Sequence, residues 1–322
     1  MPARFVVTGA LGHIGSRLIR HLPVEFPECE IVMVDNLATQ RYASLFDLPG
    51  GARYRFIEAD ILRLDLPALI EGASAVIHLA AITDAVGSFT MREQVEEVNL
   101  IGTERVARAC VRAGAPLVFP SSTSVYGIQG GAVDEKCHEL RPQSPYAESK
   151  LACEKLLQRM GDTEGLHFIV CRFGTIFGTS PGMRFHTAVN KFCWQAATGQ
   201  PLTVWRDALH QYRPYLELGD ATRALAFILR RQLFDRQTYN VLTLNATVAE
   251  VTAAISTSVR GVRIDLVDTP LLNQHSYNVS CDRFMDTGFE FTGDLRRGID
   301  ETLGALGALG RQDASVAAGV EI

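Results

Sequence analysis

Tyr146 and Lys150 stand four residues apart in Pro145-Tyr146-Ala147-Glu148-Ser149-Lys150. On a helix, positions i and i+4 share one face, so a phenol and an ammonium at this spacing can address the same cleft. A phenol is a poor base at neutral pH: its pKa of about 10 must fall by about 3, which costs about 4 kcal/mol, before it takes a proton near pH 7. An ammonium about 5 Å away supplies roughly 3 kcal/mol at an effective dielectric of about 20, and a positively charged nicotinamide beside the pair can supply the rest. The pair therefore points to dehydrogenase chemistry, in which an alcohol gives its proton to a base and its hydride to an oxidised dinucleotide. The hydroxyl cluster Ser121-Ser122-Thr123-Ser124 offers a partner for the alcohol oxygen, or else is only a polar strand-to-loop turn.

The dinucleotide has a place at the N-terminus, in Thr8-Gly9-Ala10-Leu11-Gly12-His13-Ile14-Gly15. Gly9, Gly12 and Gly15 fall between an apolar run and a helical stretch, where absent side chains let the backbone turn, approach a pyrophosphate and pack helix on strand. Asp35 ends the next apolar run twenty residues after Gly15, where a carboxylate can accept both hydroxyls of an adenosine ribose and repel a 2′-phosphate. With Asn36 and Leu37 following, the expected cofactor is NAD rather than NADP; Arg41 is the one nearby cation that would favour the phosphate. Asp60-Ile61 either holds the adenine edge or caps a helix. His78-Leu79-Ala80-Ala81 closes the fourth run with small residues that leave room for cofactor, and His78 itself reads as a packing histidine.

These motifs need a sheet to present them. Short apolar runs at 5–8, 30–35, 54–58, 75–79, 117–120 and 167–172 alternate with helical periodicity at 12–22, 91–113 and 146–160. That alternation predicts an α/β fold, a doubly wound parallel (Rossmann) sheet, with a smaller C-terminal α/β substrate-binding domain. The expected division is 1–175 with a returning segment at about 209–240 for the dinucleotide, 176–208 and 241–310 for the substrate, and a frayed tail at 311–322. The 322 residues are 47% hydrophobic with net charge −5 and hold no basic tract, so neither nucleic acid nor a membrane surface is an expected partner. Seven scattered cysteines without a Cys-x-x-Cys argue for reduced thiols and against a disulfide framework or metal site. With no signal peptide and no apolar run of about 18 residues, a cytoplasmic location is expected.

Taken together, the glycine turn, His78-Leu79-Ala80-Ala81, Asn99, Ser121-Ser122-Thr123-Ser124-Val125-Tyr126-Gly127, Tyr146-x-x-x-Lys150 and Arg172-Phe173-Gly174-Thr175-x-x-Gly178 resemble the extended short-chain dehydrogenase/reductase family, in its NAD-dependent nucleotide-sugar epimerase/dehydratase branch. The likeness spans nearly the whole chain. It implies that Ser122 hydrogen-bonds the reacting sugar oxygen with Ser124 as helper, that Tyr146 exchanges the proton, and that Lys150 grips the nicotinamide ribose while lowering the phenol's pKa. Cofactor contacts are implied for Gly9, Gly12, His13, Ile14, Gly15, Asp35, Asn36, Asp60, Ile61, Leu79, Ala80, Ala81 and Phe173. Asn99 either holds backbone near the lysine or is a solvated helix position.

Dehydratases of the branch place Asp-Glu directly after the active hydroxyl and decarboxylases a glutamate slightly further on; here stand Thr123-Ser124 and Val125. Oxidation with return of hydride remains, so the expected activity is C4 epimerisation of a nucleotide-diphosphate sugar through a transient 4-keto sugar. The alternatives are 4-ketoreduction or 4-dehydrogenation of a nucleotide sugar or heptose, and a catalytically silent NAD-binding protein. Relatives pair through two long helices, so a homodimer is expected. By the same resemblance Arg213 binds the nucleotide diphosphate, although Pro214 follows it where relatives have aspartate, Thr175 replaces a common asparagine, and no second phosphate-binding arginine stands near 273–277. Arg184, His186, Asn190 and Lys191 either replace the missing contacts or form a solvated loop and helix start. Trp205, Tyr212 and Tyr215 stack on a base or pack in the core.

Overall fold

Apolar residues that alternate along a strand point to opposite faces, and a strand buried on both faces becomes a continuous apolar run. The first strand, Arg4–Thr8, does this: Val7 joins a core with Leu18, Ile19 and Leu225 on one face, while Val6 joins Val106, Cys110 and Leu157 on the other. The computed structural model describes residues 2–268 and 277–307. Its main sheet has seven parallel strands in the order Thr238–Val241, Phe168–Phe173, Leu117–Ser122, Ala75–His78, Arg4–Thr8, Cys29–Asp35 and Ala52–Glu58. Helices His13–Glu25 and Leu218–Arg231 cover one face, Gly102–Ala113 and Pro145–Glu164 the other. Winding reverses between Arg4–Thr8 and Ala75–His78, which opens a crevice beyond their carboxyl ends. No helix among the described residues is long and apolar enough to cross a membrane.

A smaller unit is built on the three-stranded sheet of Leu244–Thr247, Tyr212–Glu217 and Thr175–Phe177. Helices Ala188–Ala197, Val248–Ser258 and Leu295–Leu306 close over Phe177, Phe192, Leu202, Val251 and Ile299. Two expectations change. The returning segment begins at Leu218–Arg231 and ends with the seventh strand Thr238–Val241, whereas Tyr212–Glu217 pairs inside the small sheet. The helix expected over 91–113 is divided into Arg92–Val95, a stretch of wide π turns at Glu96–Ile101, and Gly102–Ala113. The tail at 311–322 and residues 273–276 lie outside the described residues.

One buried ion pair fastens helix Pro145–Glu164 to the sheet. Arg172, at the end of its strand, meets Glu154 of Pro145–Glu164 through Nη2–Oε2 at 2.7 Å and Nε–Oε1 at 3.1 Å, and Ser121 Oγ donates to the same carboxylate at 2.5 Å. The guanidinium also lies 4.9 Å from the Tyr126 ring centroid. Removing one partner strands a desolvated charge, so Glu154→Ala is expected to cost about 3–5 kcal/mol in urea unfolding. A loss below about 1 kcal/mol would show that the pair is not holding the helix.

Candidate active site

Ser144 caps helix Pro145–Glu164 by accepting the Ala147 N–H at 3.2 Å, and Pro145 occupies the first turn, so the helix starts abruptly at the crevice with Tyr146 facing in. Ser122, ending the strand Leu117–Ser122, meets it there. Ser122 Oγ accepts both the hydroxyl (2.9 Å) and the N–H (3.2 Å) of Ser124, which leaves its own proton for the phenol oxygen to which it is hydrogen-bonded. Ser121 is spent on Glu154, and Thr123 Oγ1 donates to the Phe173 carbonyl at 3.3 Å. Ser122 and Ser124 are thus the hydroxyls of this cluster left for a ligand. They line a cleft of about 640 Å³ together with Tyr146, Lys150, Phe173, Thr175, Arg184 and Arg213.

The electrostatics depart from the expectation for the dyad. Burial raises the Tyr146 pKa, and the two influences that pull it back down are the Arg184 charge and the Ser122 hydrogen bond. Lys150 turns to the strand instead: Nζ donates to the Pro120 carbonyl at 2.8 Å and lies 4.6 Å from the Phe119 ring centroid, and burial lowers its pKa to about 8. The cation acting most strongly on the phenol is therefore Arg184, from the loop before helix Ala188–Ala197. Its Nη1 donates to Thr83 Oγ1, and its Nε is buried without a hydrogen-bond partner. Asn190 does not face the cleft. It is fully buried, its Oδ1 accepting the Gly178 N–H and its Nδ2 donating to the Arg184 carbonyl, both at 3.1 Å, so it positions Arg184 rather than reaching a ligand.

The glycine turn fits a dinucleotide. Gly9 has φ +66°, and a Cβ there would lie 2.6 Å from Ala80 N; at Gly15 it would lie 2.4 Å from the Gly9 carbonyl oxygen. Gly12 lies on the side near the Arg41 guanidinium. Asp35 is fixed at its strand end by accepting the N–H groups of Leu11 and Leu37, each at 3.0 Å. His13 offers this turn only backbone: its ring points away, Nε2 donating to the Gly178 carbonyl at 2.9 Å, and burial lowers its pKa to about 3, so it is neutral. Ile14, Leu79, Ala81 and Phe173 line the cleft, and Ala80 N–H donates to Thr8 Oγ1 at 3.3 Å. Asp60 Oδ1 takes the Leu62 N–H at 2.9 Å, Ile61 is buried, and exposed Asn36 takes the Ala38 N–H at 3.1 Å, so two of these side chains serve local turns. Asn99 holds both backbone groups of Ile82 (2.8 and 3.0 Å) and donates to Ser149 Oγ at 2.9 Å, fixing the loop beside Lys150. His78 is satisfied by Thr8 and Thr103, as a packing histidine.

On the substrate side, Arg213 donates to Gln211 Oε1 at 2.8 Å and lies 5.9 Å from the Tyr277 ring centroid. Tyr277 donates its hydroxyl to the Thr123 carbonyl at 3.2 Å, joining the far end of the chain to the serine turn. Trp205 and Tyr215 both line the cleft, Tyr215 as a buried ring packed edge-on to Phe177 in the core of the small unit. The sequence reading missed Tyr277 and Thr83; the only signal for Thr83 was its place just beyond a strand end at the winding reversal.

Comparison with known proteins bears on this geometry. The sequence model of the NAD dependent epimerase/dehydratase family matches residues 5–241. An uncharacterized UDP-glucose epimerase of Bacillus subtilis, YtcB, is 29% identical over 247 residues, 74% of this chain and 76% of that one. Three longer relatives from Arabidopsis thaliana are 27% identical and are spanned over only 35–36% of their length. MoeE5, solved with UDP-glucuronic acid and NAD, superposes with TM-score 0.81 at 28% identity, covering 94% of this chain and 98% of that one. The UDP-glucose 4-epimerase of Thermus thermophilus, solved with NAD, gives TM-score 0.80 at 26% identity with the same coverage.

Gly15→Ala is expected to cost about 1–3 kcal/mol in thermal or urea unfolding, because the added methyl must displace the Gly9 carbonyl. Unchanged stability would mean that the turn is looser than its contacts indicate.

Proposed function

This chain belongs to the NAD dependent epimerase/dehydratase family, and we propose that within it the chain binds NAD and inverts C4 of a nucleotide-diphosphate sugar through a transient 4-keto sugar. The observation that carries this reading is that Ser122, Tyr146 and Lys150 line one cleft beyond the carboxyl ends of the sheet strands, beside a glycine turn that side chains would fill. Thr123, following Ser122, points its hydroxyl at a backbone carbonyl, and the carboxylate lining the cleft, Asp84, uses Oδ1 to cap the Val86 and Gly87 N–H groups at 3.0 Å. Nothing in that turn serves as the acid–base pair needed to eliminate water. The names of the Bacillus and Thermus relatives support epimerisation.

Bound at the glycine turn, NAD supplies a hydride acceptor that returns hydride to the opposite face of the ring. The chain's own groups do the rest. The N–H groups opening helix His13–Glu25 hold the pyrophosphate and Asp35 the adenosine ribose. Ser122 orients the C4 oxygen, with Ser124 donating behind it, and Tyr146 takes the hydroxyl proton and gives it back. Lys150 holds the nicotinamide ribose, Phe173 lines the nicotinamide pocket, and Arg213 pairs with the substrate diphosphate, with Thr175 beside the sugar. A homodimer joined through the helices at 92–113 and Pro145–Glu164 would cover Ile101, which is 47% exposed.

Enzyme, NAD and a panel of nucleotide sugars are expected to show C4 inversion by NMR without accumulating NADH absorbance. Tyr146→Phe is expected to lower kcat by about 10²- to 10⁴-fold with NAD still bound. Stoichiometric NADH, or a fully active phenylalanine variant, would overturn the reading. The folded-state pKa of Lys150 is lowered to about 8, so its ammonium is present below that pH and is lost as pH rises through it. NAD affinity of the free enzyme should therefore weaken above about pH 8 in wild type and stay level in Lys150→Arg; a level wild-type curve would remove Lys150 from the cofactor site.

A further inference from the structure

Resting on that reading, we propose that Arg184 forms a carboxylate-recognition site in the sugar subsite, so that the substrate is a nucleotide-activated uronic acid whose carboxylate lies next to the reacting carbon. Arg184 lines the same cleft as Tyr146 and Ser122, and its place is built rather than adaptive. Thr83 takes Nη1 and Asn190 takes the backbone carbonyl. The loop that carries it sits on the glycine turn: Ser180 Oγ donates to the His13 carbonyl at 2.9 Å, the Gly182 N–H donates to Ser16 Oγ at 2.9 Å, and a Cβ on Gly182 would lie 2.2 Å from the Leu11 carbonyl oxygen.

A guanidinium fixed in this way needs an anion. Among the described residues Arg184 forms no ion pair, and its buried Nε has no partner. The carboxylate whose charge it feels, Asp84, has Oδ1 committed to the turn at Val86 and Gly87. Leaving a desolvated charge uncompensated is costly, and a planar guanidinium is matched best by a carboxylate or phosphate binding two of its N–H groups. The two diphosphates have other cations: Arg41 stands over Gly12 at the glycine turn, and Arg213 lies beside Tyr277 on the substrate side. The group left for Arg184, beside the phenol that addresses the reacting hydroxyl, is the sugar ring itself. A neutral hydroxymethyl there would leave the guanidinium unpaired. His186 and Lys191 line the same wall; burial and the Arg184 charge lower the His186 pKa to about 4, so at neutral pH it is an uncharged hydrogen-bonding group for the same ligand.

The test compares UDP-glucuronic acid with UDP-glucose, and the dTDP forms of the same two sugars, on NAD-loaded enzyme. Wild type is expected to favour the uronate by about 10- to 100-fold in kcat/KM, mostly through KM. Because Arg184 also acts on the phenol, Arg184→Gln should slow both sugars but the uronate by about 10- to 100-fold more than the hexose, Arg184→Lys should keep part of that preference, and NAD affinity should stay within about twofold of wild type. A wild type that turns over the hexose as well as the uronate overturns the inference without needing any variant to fold. So does an Arg184→Gln variant that slows both sugars by the same factor, or one that loses NAD affinity in step, since the guanidinium then serves only the phenol or the dinucleotide and not a carboxylate. Turnover of no sugar in the panel would sink the epimerase reading; turnover of the neutral sugars alone would sink only the uronate.

Discussion

The Tyr146 phenol, which the proposed function requires to give up its proton, lies where burial makes it hold on, and the rest of the site is arranged against that constraint. Desolvation disfavours the phenolate. Against it the chain sets the hydrogen bond from Ser122 and the charge of Arg184. These do not outweigh burial, and on the proposed reading the oxidised dinucleotide, once bound, would bring the further positive charge that the phenolate needs. On that reading, proton transfer at Tyr146 would be coupled to cofactor occupancy.

That coupling demands that remote parts of the chain meet with little freedom. The sheet does the first part, bringing the ends of Arg4–Thr8, Ala75–His78 and Leu117–Ser122 to one crevice. The Arg172–Glu154 pair fixes the helix carrying Tyr146 and Lys150 against that crevice. The loop at 178–184 rests on the glycine turn through His13, Ser16 and the carbonyls near Gly12, so the surface that holds Arg184 is braced by that turn.

Much of this could be read from the residues. Gly9, Gly12 and Gly15 with Asp35 at the right distance, and Tyr146 with Lys150, are local patterns, and local patterns survive in a sequence. The main sheet was legible for the same reason, because a strand buried on both faces writes a continuous apolar run. What escaped depends on partners remote in sequence. Helical spacing puts Tyr146 and Lys150 on one face but does not say that the Pro120 carbonyl claims the ammonium, nor that a guanidinium from the other unit stands in for it at the phenol. Asn190 looked like a ligand-binding amide at a helix start, yet the backbones of Gly178 and Arg184 consume it. Tyr212–Glu217 was recognisable only as part of a segment returning to the main sheet, since its pattern does not name the sheet it joins.

Burial holds the proton on Tyr146, and the proposed function requires a positive dinucleotide to displace it. The direct measurement is the phenolate absorbance of wild type minus Tyr146→Phe, followed as pH rises, with and without NAD⁺. Without cofactor the difference signal should appear only above the ordinary tyrosine pKa of about 10, and with NAD⁺ it should move down by about 1–3. A phenol that ionises near neutral pH in the empty protein, or one whose titration is indifferent to NAD⁺, would contradict the account.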